Sequence, residues 1–206
     1  MSLDAISTSM DLPRSTVYYW IRDIAIERTN KQKAGQIAAT TAMQSKFSAH
    51  RQVTYDTARA TAATTLLDRE IRDFVVLYLA EGNRKDRNRV AISNSNPNIV
   101  RFAYLAMRRL STNPHFYYSF QFHADQDPET LRVFWATYLG IRQATIKPIS
   151  KTNSGHLKGR RFACEYGVFQ IQVGDTTFRS QLQALMDAIQ EEWSGKVGSQ
   201  DAQNRA

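Results

Sequence analysis

The 206-residue chain carries 27 lysines and arginines against 19 acids, a formal net charge of +8 and a pI near 9.7, in a composition that is 42% hydrophobic. That apolar content excludes a disordered basic tail and suffices for one good-sized core plus a small accessory domain, while the positive excess points to a polyanionic partner. No apolar run approaches the roughly 18 residues of a membrane span, no signal peptide or lipidation signal is expected, and the single cysteine, Cys164, rules out an internal disulfide framework and fits a reducing cytoplasm.

Residues 1–26 predict two short helices joined by a turn at Met10-Asp11-Leu12-Pro13, the second running from Arg14 to Ile24. Val17, Ile21 and Ile24, with Trp20 beside them, recur at helical spacing and are expected to pack inward. The unit resembles the helix-turn-helix of transposases and small regulators, whose second helix enters the major groove with its N-terminal residues on base edges. That resemblance assigns Arg14 to guanine, Ser15 and Thr16 to bases or phosphate, and Tyr18, Tyr19 and Arg22 to the DNA backbone. A complete unit has a helix before these two, so either that helix is missing or the true start lies upstream. Residues 27–66 are rich in Ala, Thr, Gln and Lys without proline, and predict a long, broken or continuous helical linker. Its basic face either lies along phosphates or is simply solvated.

From residue 66 the apolar spacing of Leu66, Leu67, Ile71 and Phe74 predicts a helix running through Val75-Val76-Leu77-Tyr78-Leu79-Ala80 to Glu81. Gly82 is expected to end it in the left-handed conformation. Glu81 then sits in the last turn, where the macrodipole opposes a negative charge by about 0.3–1 kcal/mol and a divalent cation would relieve the conflict. A basic turn follows, with Arg84, Lys85, Arg87 and Arg89, then a strand in which Val90 and Ile92 alternate with Ala91 and Ser93. Asn96-Pro97 opens a helix carrying Ile99, Phe102, Leu105, Ala106 and Leu110.

Phe116 to His123 is the cleanest alternation in the chain: Phe116, Tyr118, Phe120 and Phe122 share one face, Tyr117, Ser119, Gln121 and His123 the other. Asp125, Asp127 and Glu129 are acidic without forming a metal cluster, because Asp127-Pro128 has the form of an N-cap followed by proline at the first helical position. That helix ends at Gly140. Strands near 144–149 and 164–173 follow, the second placing Gln170 and Gln172 opposite Phe169, Ile171 and Val173. Cys164 is expected as a small core residue in that strand. The loop between them holds Lys151, His156, Lys158, Arg160 and Arg161 and no acid. A last helix is expected over Thr176–Trp193, with a disordered tail over 194–206. The four histidines show no ligand spacing, which argues against zinc.

The segment Leu77-Tyr78-Leu79-Ala80-Glu81-Gly82, followed by Lys85 and by Ile92-Ser93-Asn94-Ser95-Asn96-Pro97, resembles the bacterial and phage branch of the LAGLIDADG homing-endonuclease family. A weaker likeness continues through Phe134-Trp135, Leu139-Gly140-Ile141 and Tyr166-Gly167-Val168, covering 67–193 in all. The resemblance implies an α+β fold: a curved antiparallel sheet saddling the DNA major groove, backed by helices. Glu81 takes the place of the motif's last, metal-binding acid, and Gly82 that of its closing glycine. Leu79 replaces the motif's first acid, and Val75 and Val76 stand where the family has a small pair, so paired motif helices would approach less closely.

With one motif helix the resemblance implies a homodimer that brings two Glu81 side chains together around Mg²⁺ for hydrolysis of both strands. Lys147 and the basic loop are the candidates for transition-state charge. The DNA-facing set is then Arg84, Lys85, Arg87, Arg89, Tyr117, Ser119, Gln121, His123, Lys151, Lys158, Arg160, Arg161, Gln170 and Gln172, with the N-terminal residues named above. The expected function is sequence-specific binding of double-stranded DNA by a metal-dependent endonuclease or a descendant of one, in a bacterial, archaeal or phage-encoded cytoplasmic, nucleoid-associated setting. A non-catalytic transcriptional regulator using the same surface is the alternative, and a structural or membrane-associated basic protein the third.

Overall fold

The structure is a computed structural model that describes residues 2–24, 29–151 and 164–203, with side chains described as far as 195. The chain forms two compact units, 1–46 and 47–206.

In the first unit, α1 (Leu3–Met10) is capped by the Ser2 hydroxyl, which accepts from the Ala5 N–H at 3.1 Å. Asp11 takes a left-handed conformation (φ 46°) and turns the chain into α2 (Arg14–Ile21). The Ser7 hydroxyl donates to the Leu12 carbonyl at 2.6 Å and the Leu12 N–H to the Ser7 carbonyl at 3.1 Å, locking that turn. Val17 is 1% exposed, as its spacing predicts. Ile21 is half-buried, but Trp20 and Ile24 are each 60% exposed, and α2 ends three residues short of the expected Ile24. Two eight-residue helices share a single line of contact, which is enough to cover one side chain and not a stripe.

Within the 27–66 segment one unbroken helix, α3, covers Asn30–Thr65, and its residues 30–46 are exposed throughout. The remainder belongs to the second unit, so the compact units meet at Lys46/Phe47 and not at residue 66.

The second unit is α+β. It adds α4 (Arg69–Glu81), β1 (Val90–Asn94), α5 (Pro97–Leu110), β2 (Phe116–Phe122), α6 (Pro128–Leu139), β3 (Ile146–Ser150), β4 (Val168–Val173) and α7 (Thr176–Gln203). Helix α7 thus continues past residue 193, where a disordered tail was expected. The four strands make one sheet in the order β1-β4-β2-β3. It is mixed, not purely antiparallel as expected: β1·β4 and β2·β4 are antiparallel, but β2·β3 is parallel. The cause is α6, a crossover that returns the chain to the starting end of β2 before β3 begins.

One face of the sheet is sealed by the helices. Ile92, Ile171, Tyr118 and Ile146 align across all four strands on that face and are buried, with Phe120, Phe169 and Val173 in adjacent rows. Trp135 of α6 stacks on Phe169 with centroids 4.5 Å apart and donates its indole N–H to the Tyr166 carbonyl at 2.8 Å. Asp127 caps α6 by accepting from the Thr130 N–H at 2.8 Å, and Asn96 caps α5 through the Asn98 N–H at 2.9 Å, both as predicted. In α5 the buried stripe is Val100, Ala103, Tyr104 and Met107, with Ala106 beside it, whereas Leu105 is 51% exposed. Of the expected set Ala106 is buried, Phe102 and Leu110 pack half-buried against the core, and Leu105 turns outward. Cys164 stands in the turn before β4, half-buried, and not within the strand.

The motif helix α4 buries Phe74, Val75 and Tyr78 and is capped by Asp68, which accepts from the Ile71 N–H at 3.2 Å. Leu67 is 82% exposed, so the predicted stripe fails at that point: the chain turns at 66–68 and the helix starts at Arg69. Gly82 does not adopt the expected left-handed cap; its φ of −77° is ordinary extended backbone. A glycine is required there by closeness: a Cβ would lie 2.4 Å from the Tyr78 carbonyl oxygen and 2.6 Å from its ring. The extended form lets Gly82 pair with Ile92 and the Asn83 N–H donate to the Ala91 carbonyl at 2.9 Å, so the chain leaves the helix along the β1 edge.

Candidate nucleic-acid interface

Alternation along the strands sends every second side chain to the face the helices leave uncovered. The register aligns them in three rows: Ala91, Gln172 and Tyr117; then Ser93, Gln170, Ser119 and Lys147; then Val168, Gln121 and Ile149. None of these residues is acidic. Tyr117 is 62% exposed, Gln121 and Lys147 are exposed, Ser119, Gln170 and Gln172 are half-buried, and Ala91 is buried. Sequence alternation therefore brought Tyr117, Ser119, Gln121, Gln170 and Gln172 together as expected, and the register added Lys147 and Ser93.

The amides on this face are held. The Gln170 Nε2 donates to the Ser93 hydroxyl at 3.1 Å, and its Oε1 accepts from the Ser119 hydroxyl at 3.4 Å. The Gln172 Oε1 accepts from the Arg89 guanidinium at 3.3 Å. Arg89 is in turn fixed by Asp86, whose carboxylate takes its Nη2 at 2.6 Å and the Asn88 N–H at 2.9 Å. The Asn88 N–H and the Arg89 guanidinium, in that order, hold the Asp86 carboxyl below its ordinary range. His123 is half-buried at the end of β2, with its N–H donating to the Gln126 side chain at 3.0 Å, and Lys151 is exposed just past β3.

Glu81 is exposed at the tip of α4. It immediately precedes Gly82, which pairs with Ile92 at the β1 edge of the sheet. Lys147 lies on β3, at the opposite edge. Three inter-strand steps of about 4.8 Å separate β1 from β3, roughly 14 Å, so Glu81 and Lys147 of one chain do not share a reacting centre. Among the described residues no group of three or more His, Cys, Asp or Glu side chains is placed to hold a metal ion. A single chain thus offers Mg²⁺ one carboxylate, which fits this ion only where phosphate oxygens or a second copy complete its shell.

The remaining predicted positions fall elsewhere. Arg84 and Arg87 line a cavity on the helical side, while Lys85 is exposed in the turn between α4 and β1. Lys158, Arg160 and Arg161 lie outside the described residues. In the first unit Arg14 pairs with Asp4 at 3.2 Å, Ser15, Tyr18 and Tyr19 are exposed and Thr16 is half-buried. Arg22 lies 5.4 Å from the centroid of the Tyr19 ring. Sequence reasoning missed Arg179, Asp175 and Tyr55. Arg179 and Asp175 are 5% and 7% exposed, a burial that charged groups tolerate only with partners. The one available signal was a lone arginine in the otherwise uncharged start of α7.

Among the described residues no helix is long and apolar enough to cross a membrane. Comparison of the chain with family models, curated proteins and solved structures finds no match.

Proposed function

We propose that the chain binds double-stranded DNA through the uncovered face of the sheet. The observation that carries this reading is a four-stranded surface of amides, hydroxyls, one tyrosine and one lysine, interspersed with Ala91, Val168 and Ile149 and without a carboxylate in its rows, on a protein of net charge +8. Glutamine amides match the donor–acceptor pair of adenine in the major groove, and amides already held by Ser93, Ser119 and Arg89 lose little freedom on docking. Positive charge supplies the sequence-independent part of the affinity through phosphates. The α1–α2 pair adds a second contact of the helix-turn-helix kind, with Tyr18, Tyr19 and Arg22 available to it.

The resemblance to LAGLIDADG endonucleases supports a metal-dependent cutting activity as the second reading, and one feature favours it: Glu81 is exposed at the end of α4, next to the Gly82 that pairs with the β1 edge. Cutting of both strands in this reading calls for a homodimer, since one chain contributes one Glu81. The outward side of α4 offers Val76, 37% exposed, and Ala80 to such a pairing, while Val75 turns into its own core and is no obstacle. Mg²⁺ would supply activation of water and charge on the leaving oxygen; the chain supplies Glu81 to hold it.

Selection of bound and of cleaved sites from a random duplex library, with and without Mg²⁺, tests both readings. The expected result is a salt-sensitive preference for a defined duplex that Gln170→Ala and Gln121→Ala weaken. Absence of any duplex retention at low salt overturns the proposal. Mg²⁺-dependent cuts that vanish in Glu81→Gln establish the nuclease, and binding without cuts, unchanged in Glu81→Gln, establishes the regulator.

A further inference from the structure

A second basic site lies on the helical side of the second unit, where α3, α7 and the turn after α4 converge. They enclose a cavity of about 460 Å³, within the range of about 300–1,000 Å³ usual for small-molecule sites. Four arginines line it, Arg51, Arg84, Arg87 and Arg179, with the Tyr55 phenol and the Gln183 amide, and none of its lining residues is acidic. Among the described residues none of the four makes an ion pair with a carboxylate; the pairs that form involve other arginines.

Arg179 is the informative member. It is 5% exposed, yet its guanidinium donates only to uncharged acceptors: the Asp86 carbonyl at 3.1 Å, the Arg84 carbonyl at 3.2 Å and the Gln183 side chain at 3.0 Å. A buried cation without an anion costs stability unless something supplies the charge. Two carboxylates nearby are already engaged. Asp86 is held by Arg89, and Asp187 accepts from the Tyr55 hydroxyl at 2.8 Å and from the Gln183 amide at 2.8 Å. Asp86 is the carboxylate that feels the Arg179 charge, and four guanidiniums less that one carboxylate leave three positive charges that no acidic lining residue matches. A terminal phosphate brings only about −1.5 to −2, so the complement is more than one phosphate. Planar guanidinium forks are suited to phosphate oxygens, which they take in pairs.

We propose that this cavity binds the di- or triphosphate chain of a nucleotide or of inorganic polyphosphate. Phosphate binding here does not require a duplex on the sheet: the same turn sends Arg84 and Arg87 into the cavity and Arg89 to the opposite face, against Gln172. It also ties the cavity to that face, because a phosphate chain held by Arg84 and Arg87 would stiffen the turn that positions Arg89.

Isothermal titration of the full chain at low salt with inorganic triphosphate, a nucleoside triphosphate, the corresponding monophosphate and a short duplex tests the proposal. The expected result is one-to-one binding of both triphosphates and much weaker binding of the monophosphate. The double variant Arg51→Gln/Arg87→Gln should lose at least about tenfold in triphosphate affinity, as for a lost charge-assisted hydrogen bond, with an unchanged melting curve in the absence of ligand. Equal affinity for the two triphosphates assigns the phosphate chain alone, and tighter nucleotide binding assigns a nucleotide. The proposal is overturned if neither triphosphate gives heat at millimolar concentration, or if the double variant binds them as the parent does. Duplex binding that falls in this variant, without triphosphate binding in the parent, also overturns it and assigns the arginines to nucleic acid.

Discussion

A Cβ at Gly82 would meet a carbonyl oxygen of its own helix at 2.4 Å, whereas a Cβ at Gly140, where φ is +67°, would meet nothing within 4 Å. The two glycines end helices for different reasons, one because of crowding and the other because of backbone conformation. Gly140→Ala is expected to cost about 1–2 kcal/mol, the strain of a left-handed L-residue. Gly82→Ala is expected to cost about 3 kcal/mol, at the upper end for overpacking, because a backbone oxygen cannot swing aside. Urea unfolding of the two variants measures the difference, and equal losses would contradict it. A further residue-scale expectation concerns acid. Asp68 is held low by the Ile71 N–H and then Arg109, Asp86 by the Asn88 N–H and then Arg89, and Asp127 by the Thr130 hydroxyl and then its N–H. Each folded value lies below the unfolded one of about 3.9, so the native state binds fewer protons in that range. Their stabilisation is present above about pH 4 and is lost as pH falls through the lower folded values. Urea midpoints measured from pH 7 to pH 2.5 should stay level and then fall in the acid limb, and Asp86→Asn should make that limb shallower.

Helix α3 is divided between two roles. Its first half is exposed, and its second half docks: Ala62 is buried, the Tyr55 hydroxyl bonds Asp187, Arg59 pairs with Glu191 and His50 lies 3.1 Å from the Thr177 hydroxyl. The bond to Asp187, followed by burial, pushes the Tyr55 phenol up, so it stays a donor across the neutral range. A chain comprising 47–206 should therefore unfold as cooperatively as the second unit does in the full chain. A chain comprising 67–206, cut where composition alone places the boundary, loses the cover over its core together with Leu66. It should be less stable by at least about 2 kcal/mol, the low end for removing one buried leucine. Denaturant titration of the two pieces decides between the boundaries; equal stability would show that the docked half of α3 contributes nothing. The α4–α5 junction shows how an N-cap is reinforced from outside the helix. Arg109, near the end of α5, donates to Asp68 at 2.7 Å and to Glu70 at 2.9 Å.

At the scale of the molecule the sheet separates an apolar face, closed by helices, from a polar face that carries Lys147 and, against Gln172, the Arg89 guanidinium held by Asp86. Binding of a duplex there should weaken with salt, the logarithm of affinity falling linearly with slope about −0.9 per phosphate contacted. If Lys147 contacts a phosphate, Lys147→Gln reduces that slope by about 1 without altering the preferred site, while Gln170→Ala relaxes the preference and leaves the slope as it was. Fluorescence anisotropy over a salt series separates the two effects. Identical slopes for Lys147→Gln and the parent would place the phosphate contacts away from β3.

Local signals were legible wherever a short stretch decides its own geometry. Asp127-Pro128 and Asn96-Pro97 were visible as helix starts because a capping side chain and a proline act within four residues. Phe116 to His123 was visible as a half-covered strand because the two-residue period of a strand is intrinsic to the backbone. The polar rows followed from the same period, including Gln170 and Gln172. What local sequence did not contain was the choice between alternatives: that the buried face of α5 centres on Val100, Ala103, Tyr104 and Met107, where α3 stops being a linker, and whether β3 runs parallel or antiparallel to β2. Those are settled by packing partners outside the local stretch, through surfaces that exist only once the sheet has formed. The arginine cavity is the clearest case. Arg51, Arg84 and Arg179 are distant in the chain, and only the docking of α3 and α7 around one turn brings their charges to a common space.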